Sequence, residues 1–536
     1  MLQSEELNMC TVFAYRGRAL TPAQLKDILE RTRRRGPDAE RIIMPEENLF
    51  LAFQRLSIMG IDGRGMQPFE YNGMYAITNG EIYGWRDMRR KLEAEGYAFH
   101  SDSDCETVLY MFDRYREKMF AMLDAEYASV IYDPSEGFIA ARDPVGIRPL
   151  FYGYDRDGNI AFASEACLLT PLCSAVRPFP PGHYYKNGSF ICYRDISTVK
   201  SYTYGSIDEI TRNIKEKLIK AVEKRLDSDT PVAFLLSGGL DSSLVCAIAS
   251  RLLGKKIRTF SIGMDKDPID SKYAQRTAEY LGSDHINVTM TRDDVITILP
   301  EVINTLATYD ITTIRASIGM YILCRHIHEH TDVKVLLTGE VSDELFGYKY
   351  TDYAPDAEAF EKESQKRVHE LYAYDVLRAD RCIADNSLEA RVPFGDLDFV
   401  SYVLSVDPGM KMNHYGHGKY LLRKAFEKGG WLPDDILWRQ KAAFSDAVGH
   451  SMVDDLKEYA DQIYKGRDLE KEYEKYPEKG RPFTPESLLY REIFESFYPG
   501  QHEMIPGFWM PNTSWPGCDV KDPSARVLSN YGQSGC

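Results

Sequence analysis

The chain has 536 residues, with 65 Lys and Arg against 81 Asp and Glu, and a formal charge of −16. This length exceeds what one hydrophobic core usually serves, so two or three domains are expected. The 44% hydrophobic and 27% charged fractions are those of an ordinary globular protein and exclude a disordered one. The acidic balance argues against nucleic acid and anionic membrane surfaces as partners.

Targeting signals and a cysteine framework are both missing from the sequence. The first eight residues, MLQSEELN, are acidic and lack the apolar stretch of a signal peptide. No run of about 18 apolar residues is long enough to form a membrane-spanning helix. The ten cysteines are scattered, without CxxC pairs or zinc-ligand spacing, so we expect reduced thiols in a cytoplasmic protein.

The first 200 residues are predicted to form short strands with helices between them. Apolar runs at Cys10–Tyr15, Leu49–Phe53 and Tyr75–Ile77 are bounded by Gly, Asn and Asp, as strands often are. Helical patterns cover Pro22–Arg33 and Trp85–Glu95. This mixture indicates sheets packed against helices.

A different pattern begins after residue 200. Ser206 and Glu209 match a helical capping box, and an apolar residue recurs at helical spacing up to Leu226. Three apolar strands are predicted beyond it, with helices between them: Val232–Leu236, Arg258–Ile262 and Lys334–Leu337. Strands that alternate with helices indicate a parallel α/β sheet. The Pro-, Gly- and Ser-rich residues after Pro499 are expected to form a tail.

A glycine-rich loop, Ser-Gly-Gly-Leu-Asp-Ser-Ser at residues 237–243, lies directly between a predicted strand and a predicted helix. Its glycines allow close backbone approach, and the amides of the helix N-terminus favour an anion. Many such turns are purely structural. A carboxylate beside a phosphate site, here Asp241, is explained if Mg²⁺ lies between them.

A second acidic cluster, Thr-Gly-Glu-Val-Ser-Asp-Glu at residues 338–344, also follows a predicted strand. In an open parallel sheet, ligands bind at the carboxyl ends of the strands, so both clusters are expected to face one crevice. Asp241 and Asp343 are then the natural pair to hold Mg²⁺. The alternative is a helix N-terminus capped by acids, which does not explain why two clusters follow two strands.

Two motifs resemble those of known enzyme families. Residues 237–243 resemble the pyrophosphate-binding loop of ATP pyrophosphatases, which split ATP between its α and β phosphates. Cys10 alone would be interpreted as a core residue, but residues 9–13 resemble the start of N-terminal-nucleophile glutaminases. Further motifs follow in that family's order: Arg35-Gly36-Pro37-Asp38, Arg55-Leu56-Ser57-Ile58, Asn79-Gly80-Glu81-Ile82-Tyr83 and Ser103-Asp104-Cys105-Glu106.

A glutaminase followed by an ATP pyrophosphatase resembles the glutamine-hydrolysing asparagine synthetase family, over about residues 10–500. More specific matches lie at residues 308–317, 389–394, 438–441, 444–446 and 489–494. The resemblance implies an N-terminal αββα sandwich and a C-terminal parallel α/β domain. It divides the chain into an extension (1–9), a glutaminase domain (10–200), a synthetase domain (206–500) and a tail (501–536).

The activity implied by the resemblance is a ligase reaction that makes asparagine from aspartate, glutamine and ATP through β-aspartyl-AMP. Ammonia released at the glutaminase site would pass through an internal tunnel to the synthetase site. Mg²⁺ with ATP and a homodimer are also implied. Two alternatives stay open: another amide-forming or ring-closing synthetase on the same scaffold, or a nucleotide-binding pseudoenzyme, although Cys10, Asp241 and Asp343 are all present.

The resemblance also assigns roles to individual residues. At the glutaminase site they are the nucleophile Cys10, the oxyanion-hole residues Asn79 and Gly80, Arg55 for the substrate carboxylate, and Glu81 and Asp104 for its ammonium. At the ATP site they are Ser237, Gly238, Gly239, Asp241 and Ser242 for pyrophosphate and its metal, and Leu235, Ile262, Thr338 and Gly339 around adenosine. Arg315 near the pyrophosphate, Glu340 as the base toward ammonia, and Lys441 facing the phosphates complete the set.

The sequence departs from the family at several positions. Nine residues precede Cys10, so it has no free α-amine unless translation starts at Met9 or a propeptide is removed; otherwise the enzyme would use free ammonia. Val341 replaces a usual Gly, and a β-branched residue does not easily adopt a positive φ. Gly395, Ala443 and Ala447 also differ. His326 and His330 share a helical face, but no further ligand signature supports a metal site there.

Overall fold

The computed structural model describes residues 10–36, 38–266, 268–440 and 449–530. Its N-terminal half contains two six-stranded antiparallel sheets. The strands are β1 (Thr11–Arg16), β2 (Ala39–Ile43), β3 (Leu49–Arg55), β4 (Phe69–Tyr71), β5 (Met74–Ile82), β6 (Ala125–Asp133), β7 (Gly137–Arg142), β8 (Phe151–Tyr154), β9 (Ile160–Ala163), β10 (Val176–Pro178), β11 (His183–Lys186) and β12 (Ser189–Cys192). Their orders are β10-β8-β9-β1-β3-β2 and β12-β11-β7-β6-β5-β4.

The two sheets pack face to face, and helices cover their outer sides. Strands β3 and β6 are buried along their whole length. Apolar side chains of both sheets, such as Leu51 and Val130, share one core between them. The helices of this half are α1 (Pro22–Leu29), α2 (Trp85–Ala94), α3 (Glu106–Tyr115) and α4 (Ala166–Leu169). Because α3 packs on β5 and α4 packs on β8 and β9, the predicted αββα sandwich is confirmed.

The C-terminal half contains a five-stranded sheet in which every neighbouring pair is parallel. Its strands are β13 (Val232–Leu235), β14 (Arg258–Met264), β15 (Asp284–Met290), β16 (Val335–Leu337) and β17 (Glu389–Arg391). In the order β15-β14-β13-β16-β17, strands β14 and β15 lie on one side of β13, and the later strands β16 and β17 lie on its other side. The carboxyl ends of β13 and β16 therefore form the topological switch point, where such sheets bind ligands.

Helices pack around this sheet. They are α5 (Ile207–Arg225), α6 (Leu240–Leu253), α7 (Ile269–Leu281), α8 (Arg292–Leu306), α9 (Ile311–His330), α10 (Ser342–Phe346), α11 (Ala357–Glu370), α12 (Asp375–Ala384), α13 (Leu397–Ser405), α14 (Pro408–Lys411), α15 (Tyr420–Phe426), α16 (Asp434–Leu437), α17 (His450–Ile463), α18 (Leu469–Tyr473) and α19 (Pro485–Phe497). Helix α5 begins as predicted, because the Ser206 hydroxyl accepts a hydrogen bond from the Glu209 amide. None of the helices described is both long and apolar enough to cross a membrane.

Buried charged side chains join the two halves. Arg391 on β17 lies 2.9 Å from the Glu81 carboxylate on β5, and its Nε donates to Glu389 at 2.8 Å. Arg225 at the end of α5 donates to Glu126 on β6 at 2.8 Å. Buried charges of this kind are tolerated only when they are paired, so the network fixes the two halves relative to each other.

Candidate active sites

Cys10 lies just before β1, with its thiol enclosed by the neighbouring strand β3. Its Sγ accepts a hydrogen bond from the Leu56 amide at 3.3 Å, and its carbonyl oxygen accepts one from Arg35 Nε at 3.1 Å. Burial raises the pKa of the Cys10 thiol to about 12, against the opposing effects of the Leu56 backbone and Arg55. The thiol is therefore protonated at neutral pH, and a reaction at Sγ needs a base in direct contact with it.

Asn79 and Gly80, on β5, have the features of an oxyanion hole. The Asn79 side chain is 2% exposed, and its Nδ2 has no hydrogen-bond partner among the described residues. A buried donor without a partner costs free energy, which is recovered if a ligand oxygen accepts from it. At Gly80 a Cβ atom would lie 2.3 Å from the Glu126 carbonyl oxygen, so only glycine fits against β6.

Arg55, at the end of β3, is buried and holds the loop that follows it. Its guanidinium donates to the carbonyl oxygens of Asp62 at 2.7 Å and Gly60 at 2.5 Å. The Gly60 amide in turn donates to Asp229 of the C-terminal half at 2.8 Å. Two of the guanidinium nitrogens thus bind backbone oxygens in this structure, and the predicted pairing of Arg55 with a substrate carboxylate stays a prediction.

Glu81 and Asp104 place two buried carboxyl groups near each other. The Asp104 Oδ2 accepts from the Ile82 amide at 2.7 Å, and burial raises the Asp104 pKa to about 6. Burial also raises the Glu81 pKa, while the facing Arg391 opposes that shift. A buried pair of this kind would be stabilised by a bound cation such as an ammonium group.

The phosphate loop lies at the carboxyl end of β13, as predicted. Gly238 has φ +76°, and a Cβ atom there would lie 2.4 Å from the Ala274 amide nitrogen. Gly239 caps the 14-residue helix α6, and the Ser237 and Ser242 hydroxyls are 3.0 Å apart. The loop therefore leaves backbone and hydroxyl groups at a helix N-terminus, which is an anion-binding arrangement.

The second acidic cluster touches the phosphate loop, as predicted from the sheet topology. Gly339 approaches it so closely that a Cβ atom would lie 2.9 Å from the Ser242 amide nitrogen. The Ser342 hydroxyl donates to Asp241 Oδ1 at 2.8 Å. The loops after β13 and β16 therefore form one site.

Lys419 is the residue at this site that the sequence did not reveal. Its buried ammonium group lies 2.8 and 2.9 Å from the two Asp241 oxygens, 2.5 Å from Asp343 Oδ1 and 3.0 Å from the Ser342 hydroxyl. In the sequence, Lys419 follows Gly416-His417-Gly418 just before α15. Nothing in this local sequence connects Lys419 with Asp241, which is 178 residues away.

The position of this ammonium group tests whether the two carboxylates could hold a metal. Asp241 and Asp343 both contact the Lys419 ammonium group, and carboxylate oxygens are the ligands that Mg²⁺ prefers. These residues therefore fit Mg²⁺, provided that Lys419 moves aside. Among the described residues no group of three or more His, Cys, Asp or Glu side chains is arranged as a metal site.

An open cleft of ≈ 1680 Å³, counting the solvent at its mouth, extends from the phosphate loop. Most of the predicted ATP-site residues line it: Leu235, Ser237, Gly239, Asp241, Ser242, Ile262, Arg315, Thr338, Gly339, Glu340 and Asp343. Gly238 contributes through its carbonyl oxygen, which accepts from Arg439 at 3.1 Å.

Glu340 lies in the cleft wall beside a cation. Its Oε1 is 3.4 Å from Arg378, and its buried Oε2 has no hydrogen-bond partner among the described residues. Deeper in the cleft, burial and the neighbouring Asp375 raise the Glu344 pKa well above its usual value. The wall thus offers one carboxylate oxygen able to accept a proton or a hydrogen bond.

Val341 adopts the backbone conformation that its sequence position made doubtful. Its φ is +81° and its side chain is 1% exposed. A β-branched residue in this region stores about 1–3 kcal/mol of strain. Burial of the isopropyl group against the core offsets that strain by about 1.5–3 kcal/mol. Val341 can therefore replace glycine at the position that precedes α10 as its N-cap.

Three predicted positions cannot be placed. Lys441, Ala443 and Ala447 lie outside the described residues. Their neighbour Arg439 points into the cleft region, where it pairs with Asp270 at 2.8 Å. At Gly395, a Cβ atom would lie 3.1 Å from an Ile147 methyl group, so the glycine relieves a tight contact between the two halves.

Comparison with known proteins identifies the family. A family model described as asparagine synthase matches residues 213–357 and 351–520, and one described as a glutamine amidotransferase domain matches residues 9–200. The chain belongs to the asparagine synthase family. Both candidate sites fall within the matched regions.

Curated members of the asparagine synthase family align with nearly the whole chain. A probable glutamine-hydrolysing asparagine synthetase of Acanthamoeba polyphaga mimivirus is 37% identical over 97% of this chain and 100% of its own. The glutamine-hydrolysing asparagine synthetase of Homo sapiens is 38% identical over 93% of this chain and 94% of its own. A solved glutamine phosphoribosylpyrophosphate amidotransferase from B. subtilis covers 53% of this chain and 65% of its own, at 16% identity and a TM-score of 0.31.

Proposed function

We propose that this protein makes asparagine from aspartate, with glutamine as the nitrogen donor and ATP as the activating substrate. The observation that carries the proposal is the presence of two complementary sites on one chain. One contains a buried thiol and the unpartnered Asn79 amide. The other is a cleft at a topological switch point, between the phosphate loop and an acidic cluster.

At the first site Cys10 Sγ attacks the carboxamide carbon of glutamine. The Asn79 Nδ2 and the Gly80 amide stabilise the oxyanion, the C–N bond breaks, and ammonia leaves. Water then hydrolyses the thioester and releases glutamate. Arg55 would bind the substrate carboxylate, while Glu81 and Asp104 would bind its ammonium group.

The first site also requires a base, because burial holds the Cys10 thiol in its protonated form. We propose that the α-amine of Cys10 itself takes this proton and later passes it to the leaving ammonia, as in N-terminal nucleophiles. The mature chain would then begin at Cys10, after removal of residues 1–9, or after translation from Met9 and removal of that methionine. A mass spectrum of the intact native protein tests this: a chain that still begins at Met1 would contradict it.

At the second site the β-carboxylate of aspartate attacks the α-phosphorus of ATP, and pyrophosphate leaves. Ammonia then attacks the acyl carbon of β-aspartyl-AMP, and AMP leaves as asparagine forms. Glu340, with one carboxylate oxygen available, would accept the proton that ammonia loses. Arg315 and Lys441 would balance phosphate charge.

Mg²⁺ bound with ATP is part of this proposal. Asp241 and Asp343 would hold it, and its chemistry would be to neutralise charge on the pyrophosphate that leaves. The Lys419 ammonium would then leave the two carboxylates and turn toward the phosphates. When no nucleotide is bound, Lys419 would keep the two carboxylates paired.

Ammonia would pass between the sites inside the protein, because free ammonia would be protonated in bulk water. We place the domain boundary between residues 200 and 206, within a chain that works as a cytoplasmic homodimer. The halves are joined by the Arg391–Glu81 pair, so the glutamine site directly adjoins the end of the synthetase sheet.

Pyrophosphate release tests the proposal. It should require aspartate and ATP together, and it should occur with either glutamine or ammonia as the donor. Asparagine, AMP and pyrophosphate should form in equal amounts. Release that does not depend on aspartate would indicate a different synthetase on this scaffold, and no release with any donor would indicate a nucleotide-binding pseudoenzyme.

A further inference from the structure

The C-terminal segment of the chain lies against the synthetase cleft instead of extending away from it. We call residues 507–530 the C-terminal strap. Trp509, Pro523 and Ser524 of the strap are part of the cleft lining. Of these, Trp509 and Ser524 are each only 8% exposed. A segment expected from composition to be a tail thus contributes to the wall of the proposed ATP site.

Both ends of this wall are attached to the start of helix α9. The Trp509 amide donates to Asp310 Oδ1 at 2.6 Å, and the other oxygen of Asp310 caps α9 through the Thr313 amide at 2.8 Å. Five residues after Asp310, Arg315 Nη1 donates to Asp522 Oδ1 at 3.0 Å and to the Ser524 hydroxyl at 2.9 Å. The strap therefore crosses the cleft between two fixed points.

The middle of the strap is packed well enough to hold these points. Trp515 and Cys518 are buried against Ala354 and Phe360. At the first attached end, the Trp509 ring also lies 4.7 Å from that of Tyr350, measured between centroids. Contacts of this kind distinguish a fixed wall from a loose chain end.

Asp522 completes the surroundings of a buried cation. Arg315 is 2% exposed, and Glu486 accepts from its Nε at 2.8 Å and also from its Nη2. The Nη1 group depends on the strap alone for its acceptors among the hydrogen bonds described. Burial alone would raise the Asp522 pKa. Arg315 and Lys457 instead hold this pKa well below its usual value, so the carboxylate stays charged.

We propose that the C-terminal strap is a functional wall of the synthetase site and that Asp522 is a positioning residue, which holds Arg315 in the orientation that receives the phosphates of ATP. The proposal rests on the proposed function for the identity of the nucleotide. Without the Asp522 carboxylate, the Nη1 group would lose its charged acceptor and keep the Ser524 hydroxyl. Glu486 would still hold Nε and Nη2, so the guanidinium would be fixed at one side only and could tilt away from the cleft.

The test compares Asp522→Asn with two matched variants. Asp522→Glu keeps the charge. Asp454→Asn removes an exposed carboxylate on α17 that lies 2.9 Å from Arg526, and Arg526 is on the strap but outside the cleft lining. We expect Asp522→Asn to weaken MgATP binding about 10-fold by calorimetry and to raise KM for ATP by the same factor. Asp522→Glu should stay within about 3-fold of the parent protein, and Asp454→Asn should match it. Glutamine hydrolysis should be unchanged in all three.

The alternatives give different results. Unchanged MgATP affinity in Asp522→Asn would overturn the proposal, and so would tighter binding, since Asp522 would then compete with the nucleotide for Arg315. Equal losses in Asp522→Asn and Asp454→Asn would indicate general destabilisation and would also overturn it. Calorimetry separates this proposal from the proposed function: a parent protein that binds MgATP but releases no aspartate-dependent pyrophosphate fails only the latter.

Discussion

The two candidate active sites differ in burial and in the charge of their main side chains. The glutaminase site is buried, and its residues include a protonated thiol at Cys10 and the Asn79 amide, which has no described partner. The synthetase site is an open cleft in which the Lys419 ammonium group lies between the Asp241 and Asp343 carboxylates. At the first site, the reaction requires transfer of the Cys10 thiol proton. Under the proposed function, the ion pairs of the second site would be exchanged for contacts with Mg²⁺ and the phosphates of ATP.

The largest predicted effect is at the carboxylates of the cleft. Asp241→Asn should lower asparagine synthesis by at least about 1,000-fold with both nitrogen donors, because the carboxylate proposed to hold the metal and to pair with Lys419 is lost. Asparagine formation with glutamine and with ammonia is the measurement. Glutamine hydrolysis in the same variant is the control and should be retained; synthesis near the parent level would refute the proposed metal site.

The second largest predicted effect concerns glutamine hydrolysis at the glutaminase site. Asn79→Ala removes one oxyanion donor and should lower glutamine hydrolysis by about 100–1,000-fold. Ammonia-dependent synthesis should remain, because Asn79 lies in the glutaminase half. Steady-state rates with the two donors check this. If both activities fell equally, the two sites would not be chemically separate.

These two sites also differ in how far the sequence predicts them. The phosphate loop could be found because strand, glycine turn and helix are contiguous, so local rules are sufficient. Lys419 could not, because the ion pairs that define it join residues 178 positions apart. Strand β17 was missed for a related reason. Its sequence is Glu-Ala-Arg, and its charges are buried only because Arg391 meets Glu81 across the interface.

The smallest predicted effect concerns backbone strain at Val341. In Val341→Gly, relief of about 1–3 kcal/mol of strain should nearly cancel the burial that is lost, so the free energy of unfolding should change by less than about 1 kcal/mol. Val341→Ala keeps the Cβ atom at positive φ and also loses burial. It should therefore be about 1–2 kcal/mol less stable than Val341→Gly. Denaturant unfolding measures both, and an alanine variant more stable than the glycine variant would contradict the strain.

The central claim is that two separate sites on this chain act in series. It is tested most directly by measuring asparagine formation in Cys10→Ala with glutamine and, separately, with ammonia. We predict that the glutamine-dependent rate is lost, while the ammonia-dependent rate stays within about 2-fold of the parent, because the thiol acts only in the release of ammonia. Loss of both rates together, or a retained glutamine-dependent rate, would contradict it.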